Sequence, residues 1–324
     1  MLVLVAPGQG AQSPGFLAPW LELPGAADRL AAWSEVAGLD LAHYGTEADA
    51  DAIRDTAVAQ PLLVAAGMLA THALLDGSEP GDTAAPGTLA QAAAAAGVAV
   101  VGGHSVGEIT AAATAGVLSP EDAMKVVRKR GEAMAEAAAV TTTGMSAVLG
   151  GDSETVLAHL EKLELTPANV NGAGQIVAAG TAEQLAALAA DKPAGARVIP
   201  LKVAGAFHTR HMAPAVDALT EAVQQVRVSD PGLPIVSNKD GGVVPDGTGF
   251  LSRLVGQVAN PVRWDLCMET FRDRGATALI EVCPGGALTG LAKRAMPGVR
   301  ALALKSPANL DAARALIAEH GTAE

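Results

Sequence analysis

In the stretch VAVVGGHSVGEITAAATAG, Val98 to Gly116, a serine stands between two glycines, after an apolar run and before an alanine-rich segment. Val98 to Val101 is too apolar to face water on either side, which suits a strand covered on both faces. Ile109 to Ala115 carries on as a helix. The chain has to turn from buried strand to helix within the G-x-S-x-G run Gly103 to Gly107. Such a turn presents the Ser105 hydroxyl at the carboxyl end of the sheet, where the next helix aims its free N–H groups and positive dipole end. Nucleophile and anion stabiliser then come from one turn. Serine also serves as an ordinary helix cap, but the paired glycines and the strand before them weigh towards the nucleophile.

Around this turn, strands and helices alternate. Leu2 to Ala6 is a short apolar strand followed by the turn PGQGAQ, and Gln60 to Leu75 is a buried helix. A Gly/Pro/Asp/Thr-rich loop runs from Asp76 to about Thr88, and an alanine-rich helix reaches Ala96. Ser119 as N-cap and Pro120 at the first helical position open another helix through SPEDAMKVVRKRGEAMAEA. This rhythm predicts an α/β fold with a parallel sheet flanked by helices. Between Thr143 and Val203 the order becomes β-α-β-β-α-β, the pattern of a ferredoxin-like unit. The expectation is a small inserted subdomain at residues 143–203 and a large one built from 1–142 and 204–324.

Half of the 324 residues are hydrophobic, enough for a large core. Much of that hydropathy is alanine, and Gly, Gln, His or Pro interrupts each apolar run before about 18 residues, so no membrane span is expected. The N-terminus has neither a basic leader nor a small-residue cleavage site, which predicts a cytoplasmic protein. A net charge of -12 argues against nucleic acid as a partner. Cys267 and Cys283 fit neither a metal-ligand spacing nor a disulfide framework and read as buried free thiols. No metal site is expected.

A serine hydroxyl needs a base to take its proton. Of the seven histidines, His72 and His159 lie in amphipathic helical contexts, His320 in the tail, and His43 has no special setting. His104 faces away from Ser105 if the turn is sharp. His208, in VAGAFHTRHM, follows a predicted strand and precedes a predicted helix, where loops gather at the sheet's carboxyl end. It is the best-placed base, ahead of His211. A second Gly-x-Gly, in APGQGAQS, follows a strand as a dinucleotide fingerprint should. Ser13 occupies its third glycine position, and no acid ends a second strand at the expected distance, so nucleotide binding is rejected.

Taken in order, PGQGAQ, GHSVGE, RGEAM, GAFH, QVANPVRW and EVCPGGALTGLAKR resemble the motifs of the malonyl-CoA:acyl carrier protein transacylases and of polyketide synthase acyltransferase domains. The likeness spans essentially the whole chain. It implies an α/β-hydrolase-like core with a ferredoxin-like insert. It also implies an enzyme that moves a malonyl group from malonyl-CoA to the phosphopantetheine thiol of an acyl carrier protein, for fatty-acid synthesis, with service to polyketide synthesis left open. The implied route is ping-pong, through a malonyl ester on Ser105 with His208 as base. No permanently bound cofactor is implied, and a monomer is.

The resemblance also assigns roles residue by residue. Gln9 and Val106 become the backbone donors of an oxyanion hole, Arg130 the partner of the malonyl carboxylate, and Gln257 the residue whose backbone carbonyl orients the histidine. No Asp or Glu suggests itself for that orienting role. By residue pattern, Arg130 is one member of RKR on a solvated helix face; the resemblance singles it out, and a planar fork suits a carboxylate. Phe207 stands where malonyl-selective domains carry phenylalanine and methylmalonyl-selective ones serine. Asn171, with Asn169 nearby, matches positions lining the phosphopantetheine channel, and both read equally as turn residues. Lys293 and Arg294 match carrier-docking positions, with Arg210 a weaker candidate; an acidic chain needs such a basic patch to hold an acidic carrier. The sequence departs from the family in a longer segment from Gly77 to Gly97 and in Ala11, where serine is common. Two rival readings remain: a serine hydrolase using the same turn, and a carrier-binding module without catalysis.

Overall fold

The computed structural model describes residues 1–75 and 88–321. The loop expected from Asp76 to Thr88, and with it much of the departure at Gly77 to Gly97, falls outside the described residues. Among those described, the strands are β1 (Leu2–Ala6), β2 (Val98–Gly103), β3 (Thr143–Gly150), β4 (Thr166–Gly172), β5 (Gln175–Thr181), β6 (Ala196–Pro200), β7 (Ile235–Val236), β8 (Val243–Val244), β9 (Val262–Arg263), β10 (Ala278–Glu281) and β11 (Arg300–Ala303). They make a mixed α/β fold with two sheets.

The larger sheet has the order β11-β10-β1-β2-β7-β8. Its first five strands are parallel, and β8 closes the edge antiparallel to β7. β1 reads LVLVA with every residue buried, as a strand covered on both faces must be. Because β1, β2 and β7 run the same way, the residues that follow them, Gln9, Ser105 and Asn238, gather at one edge, where open parallel sheets form their ligand sites.

The smaller sheet has the order β6-β3-β5-β4-β9. β6, β3, β5 and β4 pair antiparallel, and β9 joins parallel to β4 from outside residues 143–203, setting Val262 opposite Asn169. This sheet keeps its own apolar cluster, including Val148, Val156, Leu160, Ile176 and Leu188.

The helix Thr56–Leu75 packs against the helices Ala26–Ala37, Gly107–Thr114 and Pro120–Val140 and is buried along almost its whole length. It runs straight through Gln60, Gly67 and His72, which the sequence reading took as interruptions. Among the described helices it is the one long and apolar enough to cross a membrane, and protein surrounds it. His72, expected on an amphipathic helix, is therefore buried too, because a helix at the centre of other helices has almost no wet face.

Candidate active site

The sharp turn after β2 is a packing necessity. A Cβ on Gly103 would lie 2.0 Å from the carbonyl carbon of Gly107, and one on Gly107 would lie 2.3 Å from Ala6 O. Only glycine lets the strand, the helix and β1 approach this closely. Between them Ser105 adopts φ 54°, a left-handed backbone that costs a residue with a side chain roughly 1–3 kcal/mol. Asn238 stabilises the turn: the Ser105 amide donates to its Oδ1 at 2.7 Å, and its Nδ2 donates to Gly103 O at 2.7 Å.

His208 arrives after β6, also left-handed at φ 61°, with its amide donating to Val258 O at 3.1 Å. Its Nε2 lies 2.7 Å from Ser105 Oγ, and its Nδ1 lies 2.8 Å from Gln257 O. A carbonyl only accepts, so Nδ1 carries the hydrogen and Nε2 offers its lone pair to the serine hydroxyl. Burial, helped by the nearby Arg130 charge, lowers the imidazole pKa to about 3. The ring is therefore neutral at pH 7 and able to receive a proton.

Arg130, which the RKR pattern put on a solvated face, is 1% exposed. Arg128 and Lys129 stay outside with Glu132, because only every third or fourth residue of the helix Pro120–Val140 can turn inward. The guanidinium donates from Nη1 to Gln60 Oε1 at 2.6 Å and from Nη2 to Gln257 Oε1 at 2.7 Å, with Nη2 3.4 Å from Ser105 Oγ. Its buried Nε has no hydrogen-bond partner, and no carboxylate among the described residues pairs with the group. Burial brings its pKa down to about 10, against the pull of Glu108, so it keeps its charge at pH 7.

Three residues around this centre escaped sequence reasoning: Gln60, Glu108 and Asn238. Gln60 left a signal, as a polar residue inside an otherwise apolar helix. Glu108 is 1% exposed; its Oε1 accepts the Asn238 amide at 2.6 Å, and its Oε2 accepts Gln257 Nε2. Burial pushes this carboxyl up to about 8. An acid in the first turn of a helix is ordinarily a partner for the helix dipole, and Asn238 in VSNKDGG looks like a turn residue, so neither stood out.

Ser105, His208 and Arg130 open into a cavity of about 600 Å³ whose wall includes Gln9, Val106, Asn169, Asn171 and Phe207. Among the described residues, no hydrogen bond engages the backbone amide of Gln9 or of Val106. His104 turns to Asn171, with Nε2 2.8 Å from Oδ1, and sets its ring edge-on to Trp264. His211 and Arg210 lie off the cavity wall. Lys293 and Arg294 are exposed on the helix Ala287–Ala295, whose Leu288 and Leu291 reach the wall. Cys267 and Cys283 are buried and free, and burial raises both thiols above their ordinary range. The described residues contain no cluster of metal ligands.

Residues 3–303 match the family model described as acyl transferase domain. The malonyl CoA-acyl carrier protein transacylase of Mycobacterium tuberculosis is 51% identical over 312 residues, covering 96% of this chain and 98% of that one. The crystal structure of MCAT from Mycobacterium tuberculosis aligns with a TM-score of 0.89 at 51% identity, over 97% of this chain and 99% of that one. A solved complex of a type II PKS acyl-carrier protein with its malonyl-transacylase aligns with a TM-score of 0.86 at 30% identity, over 97% of this chain and 99% of that one. A serine on a glycine-built turn, a neutral histidine facing it and a buried arginine beside both thus sit in an acyltransferase, and the chain belongs to the acyl transferase family, among the malonyl CoA-acyl carrier protein transacylases.

Proposed function

We propose that the protein carries malonyl groups from malonyl-CoA to the phosphopantetheine thiol of an acyl carrier protein, by a ping-pong route through a malonyl ester on Ser105. The observation that carries this reading is Arg130: a buried cation held by two neutral amide oxygens, 3.4 Å from the serine oxygen. Burying a charge without an ionic partner costs several kcal/mol, and an acyl group that ends in a carboxylate supplies that partner. A pocket for plain fatty acyl groups has no use for such a cation. The names of the relatives agree with this substrate and this acceptor.

In the first half-reaction Ser105 Oγ attacks the thioester carbonyl while His208 Nε2 takes its proton. The C–S bond then breaks, and the proton passes to the coenzyme A sulfur. In the second, the carrier thiol attacks the serine ester, giving His208 its proton, which returns to Ser105 Oγ as the C–O bond breaks. Gln257 O steadies the imidazole in place of an acid, so the unit is a Ser-His dyad. The unengaged amides of Gln9 and Val106 are the oxyanion donors in this scheme. Phe207 crowds a 2-methyl branch, and Asn171 with Asn169 meets the pantetheine arm. No permanently held cofactor takes part.

We read the fold as an α/β-hydrolase-like core, residues 1–142 and 204–324, bearing a ferredoxin-like subdomain at 143–203, a division supported by the separate apolar cluster and antiparallel order of the smaller sheet. A monomer working in the cytoplasm, in fatty-acid and also polyketide synthesis, completes the proposal.

Intact-protein mass spectrometry after mixing with malonyl-CoA tests it directly. One malonyl adduct is expected, with weaker loading from acetyl-CoA and methylmalonyl-CoA. Rapid malonyl-CoA hydrolysis without an adduct would make the protein a hydrolase instead.

The lowered His208 pKa adds a pH signature. The base form persists far below the ordinary histidine value of about 6.5, so single-turnover loading should hold steady as pH falls from 7.5 to 5.5. A rate that halves near 6.5 would mean that His208 titrates as an ordinary imidazole. The same shift acts on stability: below about 6.5 the unfolded chain takes up a proton that the folded protein refuses, so stability declines from there towards pH 3.

Lys293 and Arg294 are the proposed contact for the acidic carrier, two and three residues beyond Leu291, which lines the cavity wall. Reversing both to glutamate should slow transfer to the carrier at low salt and leave loading of Ser105 nearly intact. Wild-type carrier kinetics in the double variant would place docking elsewhere.

A further inference from the structure

Behind the reacting pair lies a buried polar cluster that the transfer scheme leaves unused. Gln257 Nε2 points to Glu108 Oε2 and also lies 3.1 Å from Asn238 Oδ1 and 3.3 Å from Ser105 O. Three oxygens around one NH2 group fix which way round the amide sits. Its Oε1 is thereby turned to Arg130 Nη2 at 2.7 Å. The reversed amide would set an oxygen against a carboxylate and two carbonyls, and an NH2 against a guanidinium. Both contacts would be repulsive in a site too dry to screen them.

Everything facing the Glu108 carboxyl is a donor or a cation: the Asn238 N–H, the Gln257 NH2 and the Ser237 hydroxyl, with Arg130 and Arg253 beyond. These groups offset only part of what burial does, and the carboxyl stays at about 8; whichever form it takes, each of its oxygens faces a donor. Glutamine at this position would offer one acceptor and one donor to two donors, so one of the two contacts would fail. We infer that Glu108 is a positioning residue for acyl selectivity: by fixing the Gln257 amide, its carboxyl group aims Arg130 at the acyl group carried on Ser105. The inference rests on the reading of Arg130 as the malonyl partner. Glu108 reaches the chemistry only through Gln257 and Asn238.

Single-turnover loading of malonyl and of acetyl groups, followed by mass spectrometry on Glu108→Gln, Arg130→Ala and the double variant, separates the possibilities, with thermal unfolding measured alongside. Glu108→Gln should lower malonyl loading relative to acetyl loading on the order of 10-fold, the scale of one charge-assisted hydrogen bond. In the Arg130→Ala background it should leave the malonyl-to-acetyl ratio where Arg130→Ala put it. Equal losses for the two acyl groups in Glu108→Gln, beside a selective loss in Arg130→Ala, would overturn the inference and leave the malonyl reading standing. An unselective Arg130→Ala would overturn that reading and the inference with it. If Glu108→Gln does not fold, Glu108→Asp keeps both acceptor oxygens but withdraws them by one methylene; an unchanged ratio there also overturns the inference.

Discussion

With Ser105 replaced by alanine, the protein should gain no malonyl group from malonyl-CoA. In the proposed scheme the hydroxyl is the nucleophile, and the turn presents it to the cavity with a neutral imidazole 2.7 Å away. Neither thiol can stand in, since Cys267 and Cys283 are buried and hard to ionise. Removing the nucleophile of a serine enzyme lowers turnover on the order of 10⁶-fold, so carrier malonylation should fall below detection. Alanine meets the same left-handed backbone as serine, so the fold should survive. A malonyl adduct of wild-type size on the variant would place the nucleophile elsewhere.

Arg130→Ala is the second large effect, and it should be selective. Removing one member of a buried ion pair while the other charge stays costs roughly 3–5 kcal/mol, which lowers malonyl transfer by a factor of roughly 10² to 4 × 10³. Acetyl transfer loses far less, because an acetyl group has no charge to strand. Parallel kinetics with malonyl-CoA and acetyl-CoA measure the ratio. If both fall together, Arg130 is holding Gln60 and Gln257 in place and not recognising a carboxylate.

What the sequence disclosed about this site follows the reach of the forces involved. The turn at Ser105 was legible because its causes are local: two glycines, a buried strand before and a helix after, all within a few residues. The helix Pro120–Val140 announced its start through Ser119, whose side chain accepts the Asp122 amide. The inward turn of Arg130 was not legible from residue pattern, since it depends on Gln60, 70 residues earlier, and Gln257, 127 residues later. Glu108 was hidden by a respectable ordinary role at a helix start. β9 escaped because a two-residue strand has no periodicity; it exists only where β4 lies beside it. The expected loop from Asp76 lies outside the described residues.

β9 ties the smaller sheet to the segment that carries Gln257. It pairs with Asn169, which lines the cavity, and with Val170, Arg263 N–H donates to Asn238 O at 2.8 Å, and a short run of chain leads back from it to the Gln257 carbonyl that accepts from His208. One short path of backbone thus joins the smaller sheet to the carbonyl that holds the imidazole. A ladder two residues long fastens the edge of the smaller sheet to the segment that grips the histidine.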